Sequence, residues 1–213
     1  MTLRTIRSVH VENDGQLAAA VKSASWLNTS RTRRLRVAVA PGLYHQRLEL
    51  TDGLDLHGHG EIVWDGPGDT ILTHGADSTL TGLTVRHVGP SSGYAIHADA
   101  PCRRSVLSLE RVAASSHTNP ALGAGLAGGQ RLRARSSTFT STSWAAIHLH
   151  PWLDQSEPVT ATFIDCTATC PTAGVAWNQL ASGQLDALHW SGTIDSSRHL
   201  DAHIPPPVLI FAG

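Results

Sequence analysis

At 213 residues the chain is long enough for one domain, or one extended repeat array, with an ample core. Only 15% of the residues are charged, well under the usual quarter, and Thr, Ser, Ala and Gly fill the space, a bias toward short strands and turns rather than helices. The net charge of −1 argues against nucleic acid as a partner, Lys22 is the only lysine and so the only side-chain amine base, and no apolar run approaches the roughly 18 residues of a membrane span.

In chain order, residues 1–34 form an N-terminal segment. Its opening, MTLRTIRSVHVENDG, lacks the apolar stretch of a secretory signal. DGQLAAAVKSASWL follows as a short amphipathic helix with Leu17, Ala20, Val21 and Ala24 on one face and Asp14 as its N-cap. Strands come next in RRLRVAVAPGLYHQRLEL and LDLHGHGEIVWDG, with turns at Pro41-Gly42 and Asp52-Gly53.

From there the chain repeats. The pattern apolar-x-apolar-x-x-apolar-x-apolar fits Leu107, Leu109, Val112 and Ala114; Leu132, Ala134, Ser137 and Phe139; and Ala161, Phe163, Cys166 and Ala168. Weaker copies run through Ser78, Leu80, Leu83 and Val85, and through Ala187, His189, Gly192 and Ile194. Their second positions step by 29, 25, 29 and 26 residues, the period of a coil wound from short strands. Between copies lie YAIHAD, GAGLAGG, AAIHLH and GVAWNQ. Ile96, Leu126, Ile147 and Ala176 are expected to point inward, and alternation then places His97, Ala127, His148 and Trp177 in one outward column, with Asp99, Gly129, His150 and Gln179 in the next. The coil spans residues 35–200. Residues 201–213 form a Pro-rich extended segment in which Pro205–Pro207 end the coil and VLIFAG packs on the last turn rather than on a neighbouring chain.

The helix QLAAAVKSA, then VAVAPGLYHQRLEL, LDLHGHGE and STLTGLTVRHVG, resemble the opening of the pectate-lyase-like superfamily. That resemblance implies an all-β, right-handed parallel β-helix of about six or seven turns with a capping helix. YAIHADA, ALGAGLAGGQRLRARSSTF and AAIHLHP, in this order, resemble more narrowly the β-helix proteins of bacteriophage tails and virion surfaces. The function implied is that of a virion-associated protein whose lateral face contacts host-surface carbohydrate. Its partners would then be that polysaccharide, other virion proteins and further copies of the chain, with neither nucleic acid nor membrane among them. Two alternatives stand beside it: a polysaccharide lyase or glycoside hydrolase of the same fold, and a purely structural decoration or adaptor protein.

The expected carbohydrate groove has walls of His97/Asp99 and His148/His150 on either side of a small-residue floor, with Trp152, Trp177 and Gln179 alongside and Tyr94 and Trp144 nearby. Indole faces stack on sugar C–H surfaces while Asp, His and Gln meet hydroxyls. No catalytic residue is assigned. Glycoside hydrolysis needs two carboxylates at about 5–10 Å, and Asp99 with Glu110 or Asp154 is only a nominal pair. No cofactor and no metal is assigned either, because His97 reaches His148 and His150 only across two turns of the coil. Calcium, which the resemblance brings with many lyases, prefers clustered carboxylates, whereas Asp99, Glu110, Asp154 and Asp165 are dispersed. His74 and His87 are expected on the coil surface, His189 facing in, and Trp26, Trp64 and Trp190 in packing roles. The cysteines are expected as buried free thiols.

Overall fold

The computed structural model describes residues 4–73, 77–99, 105–126, 129–151, 159–177, 185–196, 198–202 and 209–211. The chain forms a right-handed parallel β-solenoid of about six turns with one helix. Strand β1 (Arg4–Val11) and helix α1 (Asp14–Trp26) precede the coil. The first turn holds β2 (Arg33–His45) and β3 (Leu48–Leu50), the second β4 (Leu54–Trp64) and β5 (Ile71–Thr73). The third divides into β6 (Ser78–Thr81), β7 (Thr84–His87) and β8 (Ile96–Asp99), and the fourth into β9 (Val106–Glu110), β10 (Ala113–Ser116) and β11 (Leu122–Leu126). The next holds β12 (Arg131–Arg135), β13 (Thr138–Ser141) and β14 (Ala145–Pro151). β15 (Val159–Thr169) with β16 (Ala173–Trp177) and β17 (Leu185–Asp195) with β18 (Arg198–Ala202) follow, and β19 (Leu209–Phe211) ends the strand order.

Three lateral faces result. The first stacks the leading halves of β2, β4, β15 and β17 with β6, β9 and β12; the second stacks their trailing halves with β7, β10 and β13. The third is a separate sheet in the order β18-β16-β14-β11-β8-β5-β3. Parallel pairing throughout sets each turn about 4.8 Å above the last.

The corner between the first two faces explains the spacing of the repeat. Strict alternation would send two adjacent polar positions to opposite sides. Here the second of them takes positive φ and turns the chain, so that the next residue faces in again. That position is Gly82 (φ 72°), Arg111 (51°), Ser136 (49°) and Asp165 (53°) on successive turns. Amide bonds climb the corner from Gly82 to Glu110, from Arg111 to Arg135 and from Ser136 to Ile164. Glycine is required at 82, where a Cβ would lie 2.5 Å from the Gly58 carbonyl oxygen.

The inward residues make one continuous core. Leu80, Leu109, Ala134, Phe163 and Trp190 are register partners along the first face. The small Ala134 is compensated by Phe139, whose ring meets Phe163 edge-on at 6.0 Å, and Phe163 packs on Trp190 at 5.0 Å. Trp190, not His189, takes the inward place, because β17 has one residue fewer than β15 between Phe163 and Cys166. His87 also differs from expectation: it is fully buried on the second face, its Nε2 3.2 Å from the Gly66 carbonyl. Trp26 is 78% exposed rather than packed.

Helix α1 buries Leu17, Ala20, Val21 and Ala24, as expected, and packs against β1, β2 and β3 to close one end of the core. Its N-cap is Asn13 rather than Asp14. Asn13 has extended backbone and its side chain accepts from the Gln16 amide at 3.0 Å, while Asp14 accepts from the His45 amide at 3.1 Å. At the other end β19 pairs in parallel with β17 of its own chain. Cys166 and Cys170 are buried free thiols; Cys102 and His74 lie outside the described residues.

The corner generates a paired test. Ser136→Gly should stabilise the protein by a few tenths to about 1 kcal/mol, since a non-glycine residue in the left-handed region costs about 1–2 kcal/mol and glycine's extra chain entropy takes back part of the gain. Gly82→Ala should destabilise by about 1–3 kcal/mol. Urea denaturation followed by circular dichroism measures both.

Candidate functional site

The histidine-rich strands meet on the third face. Register pairs His97 with Gly123 and Gly123 with His148, and Asp99 with Gly125 and Gly125 with His150. The two walls expected from the sequence therefore stand in line, two turns apart. The rung between them is supplied by Gly123 and Gly125, not Ala127 and Gly129. LGAGL repeats at every second residue, so a four-residue shift leaves its pattern of side chains nearly unchanged; Leu122, not Leu126, aligns with Ile96 and Ile147. Trp177 is displaced too: it pairs with Leu149, and Ala176 occupies the place beside His148. The Trp177 side chain, and Trp152, Gln179 and Asp154 altogether, lie outside the described residues.

The glycine rung is not an open notch, because side chains from both walls lean over it. A Cβ on Gly123 would meet the Tyr94 ring at 2.7 Å and the His97 ring at 2.9 Å. Tyr94 and His97 pack with centroids 4.4 Å apart and ring planes tilted by 31°, and a 3.0 Å hydrogen bond joins the Tyr94 hydroxyl to His148 Nδ1. His148 and His150 lie 4.9 Å apart, and the His97 and His150 rings approach to 5.8 Å across the two-turn gap. Trp144 meets His148 edge-on at 4.8 Å and is 39% exposed at the rim.

Asp69, in the turn before β5, anchors this cluster. One carboxylate oxygen accepts from the Tyr94 amide and the other is 2.8 Å from His97 Nδ1. Asp69 escaped the sequence reading; its separation of 28 residues from His97, about one coil period, was the available signal. Burial alone would raise the Asp69 pKa, but the His97 bond and charge, the Tyr94 amide and Arg47 outweigh it and hold the carboxyl below its ordinary value. The anionic Asp69 fixes the proton of His97 on Nδ1. His97 Nε2 is buried, and it has no hydrogen-bond partner among the described residues. An unpartnered buried nitrogen costs about 1–3 kcal/mol.

The other two imidazoles are held neutral. Burial, then the neighbouring His150 and His97, push the His148 pKa down to about 3. Burial and His97 also lower that of His150, against the opposing pull of Asp99. Burial with the nearby Asp69 and Asp99 raises the Tyr94 phenol to about 12. The cluster thus sets imidazole nitrogens beside carboxylates. At neutral pH His148 is therefore a weak base and Tyr94 a weak acid.

Among the described residues, the carboxylates considered for calcium do not gather into one site. Asp99 is on the third face, whereas Glu110, bonded to Arg111, and Asp165 lie at the corner of the other two; these carboxylates do not converge. Comparison of the chain with protein families, with curated proteins and with solved structures finds no match.

A pH dependence follows. The folded state refuses a proton at His148 down to about pH 3, whereas the unfolded chain takes one up near 6.5. Stability from this group is complete above 6.5 and is lost as pH falls through that window, by at most about 1.4 kcal/mol per pH unit. His150 acts in the same direction. Among the described residues, the groups facing His148 include Tyr94, Trp144, His97 and His150, with Asp69 and Asp99 behind them. Thermal melts from pH 7 to pH 4 should show a falling Tm, with a shallower fall in His148→Gln.

Proposed function

We propose that the chain is a recognition module of a virion surface whose third lateral face, around β8, β11 and β14, contacts host-surface carbohydrate without cleaving it. The observation that carries this reading is Trp144, 39% exposed and set edge-on to His148, whose ring lies 4.9 Å from that of the half-buried His150. An indole at the rim of a polar patch suits a sugar ring, whose C–H face stacks while its hydroxyls reach carboxylate and imidazole. The resemblance of YAIHADA and AAIHLHP to phage virion β-helices supports the setting. Against a depolymerase, Asp69 is committed to His97 and the Tyr94 amide, so Asp99 has no free carboxylate partner from that residue for acid–base hydrolysis.

Binding of the full chain to an array of bacterial surface polysaccharides tests the proposal. A specific glycan should bind, and Trp144→Ala should weaken binding about tenfold, roughly 1.4 kcal/mol. Binding to no glycan, or binding indifferent to Trp144, would overturn it. Release of unsaturated uronates or new reducing ends from a bound polysaccharide would establish the enzyme alternative instead.

A further inference from the structure

We propose that His97, Asp99 and His150 form a binding site for one divalent transition-metal ion of the zinc class. The site stands on its own geometry and holds whether or not the same face binds a glycan. One ligand atom from each residue lies within 4.8 Å of the other two. An ion bound at about 2.1 Å with tetrahedral angles needs its ligands about 3.4 Å apart. Modest side-chain rotation over the Gly123–Gly125 rung closes that difference, since the rung itself carries no side chains. Ligands two turns apart, with backbones roughly 10 Å apart, can converge only because the turn between them is bare.

The donors are already prepared. Asp69 holds the proton of His97 on Nδ1 and so leaves Nε2 as the ligating nitrogen. That atom is buried and has no hydrogen-bond partner among the described residues. A carboxylate behind a histidine whose far nitrogen points into a cluster is the usual outer support of a bound metal. Charge also balances: one dication meets two carboxylates, Asp99 as ligand and Asp69 behind His97, with two neutral imidazoles.

The donor set selects the ion. Two imidazoles and one carboxylate suit zinc, cobalt, nickel or ferrous iron and disfavour magnesium and calcium, which take oxygen ligands. Three protein ligands leave at least one position for water or an outside oxygen ligand. His148 and Tyr94, bonded to each other beside this group, wall the cluster on one side.

The test uses the full chain, stripped with EDTA and dialysed. Cobalt(II) is titrated while its visible d–d absorption is followed, and zinc(II) affinity is then measured by competition with a chromophoric chelator. One equivalent of cobalt should bind with the intense spectrum of a low-coordinate site, and one equivalent of zinc should displace it. His97→Gln, Asp99→Asn and His150→Gln should each weaken zinc binding at least ~100-fold, and Asp69→Asn about 10–100-fold. The exposed His59 and His117 give the controls: His59→Ala and His117→Ala should leave the single site intact, which separates it from loose binding by thirteen scattered histidines. Circular dichroism checks that each variant is folded; if His97→Gln is not, Asp99→Asn and His150→Gln carry the test. Absence of a one-equivalent site, or a site that survives His150→Gln and Asp99→Asn unchanged, would overturn the assignment.

Discussion

The corner at Gly82, Arg111, Ser136 and Asp165 is the constraint on which the rest of the molecule depends. A parallel stack has no hairpins to fix register, so each turn must place its strands above the previous ones by repeating the same bend at the same point. On four successive turns one left-handed residue does this. It allows an inward residue on the first face and another three positions later on the second without a slip of the pleat. The core from Leu80 to Trp190, and the alignment of the third face farther along each turn, both follow from that repeated geometry.

The third face shows what such alignment does for chemistry. No single strand carries the cluster: Asp69 precedes β5, Tyr94, His97 and Asp99 come from the segment ending in β8, and His148 and His150 from β14. Stacking converts separations of 28 and 54 residues into hydrogen bonds of 2.8 and 3.0 Å. The glycine turn between is as important as the ligands, because it provides the volume into which opposing rings fold. A solenoid can make a site by omission, with one turn left bare and its neighbours converging over it.

Much of this was legible in the sequence, and the failures have physical causes. The period, the inward residues of the repeat, the buried face of α1 and the alignment of His97 with His148 all follow from two-residue alternation and an even step. Errors fell where alternation is degenerate. LGAGL places a small or apolar residue at every second position, so the choice between Leu122 and Leu126 has no local signal. At β17 the missing corner residue shifted the inward place from His189 to Trp190. The groove expected between the walls was filled because spacing along a backbone says nothing about which way rings lean. Asp69 was missed for a related reason: it sits in a turn, outside any strand pattern, and only the coil period links it to His97.

The corner has one more effect. Arg111, Ser136 and Asp165 all point into solvent there, one above another, with Glu110 beside them. Nothing in the interior depends on their identity once the backbone has turned. The molecule therefore carries an outer ridge on which sign and polarity can be rewritten a storey at a time, a strip free to diverge while the scaffold behind it stays the same.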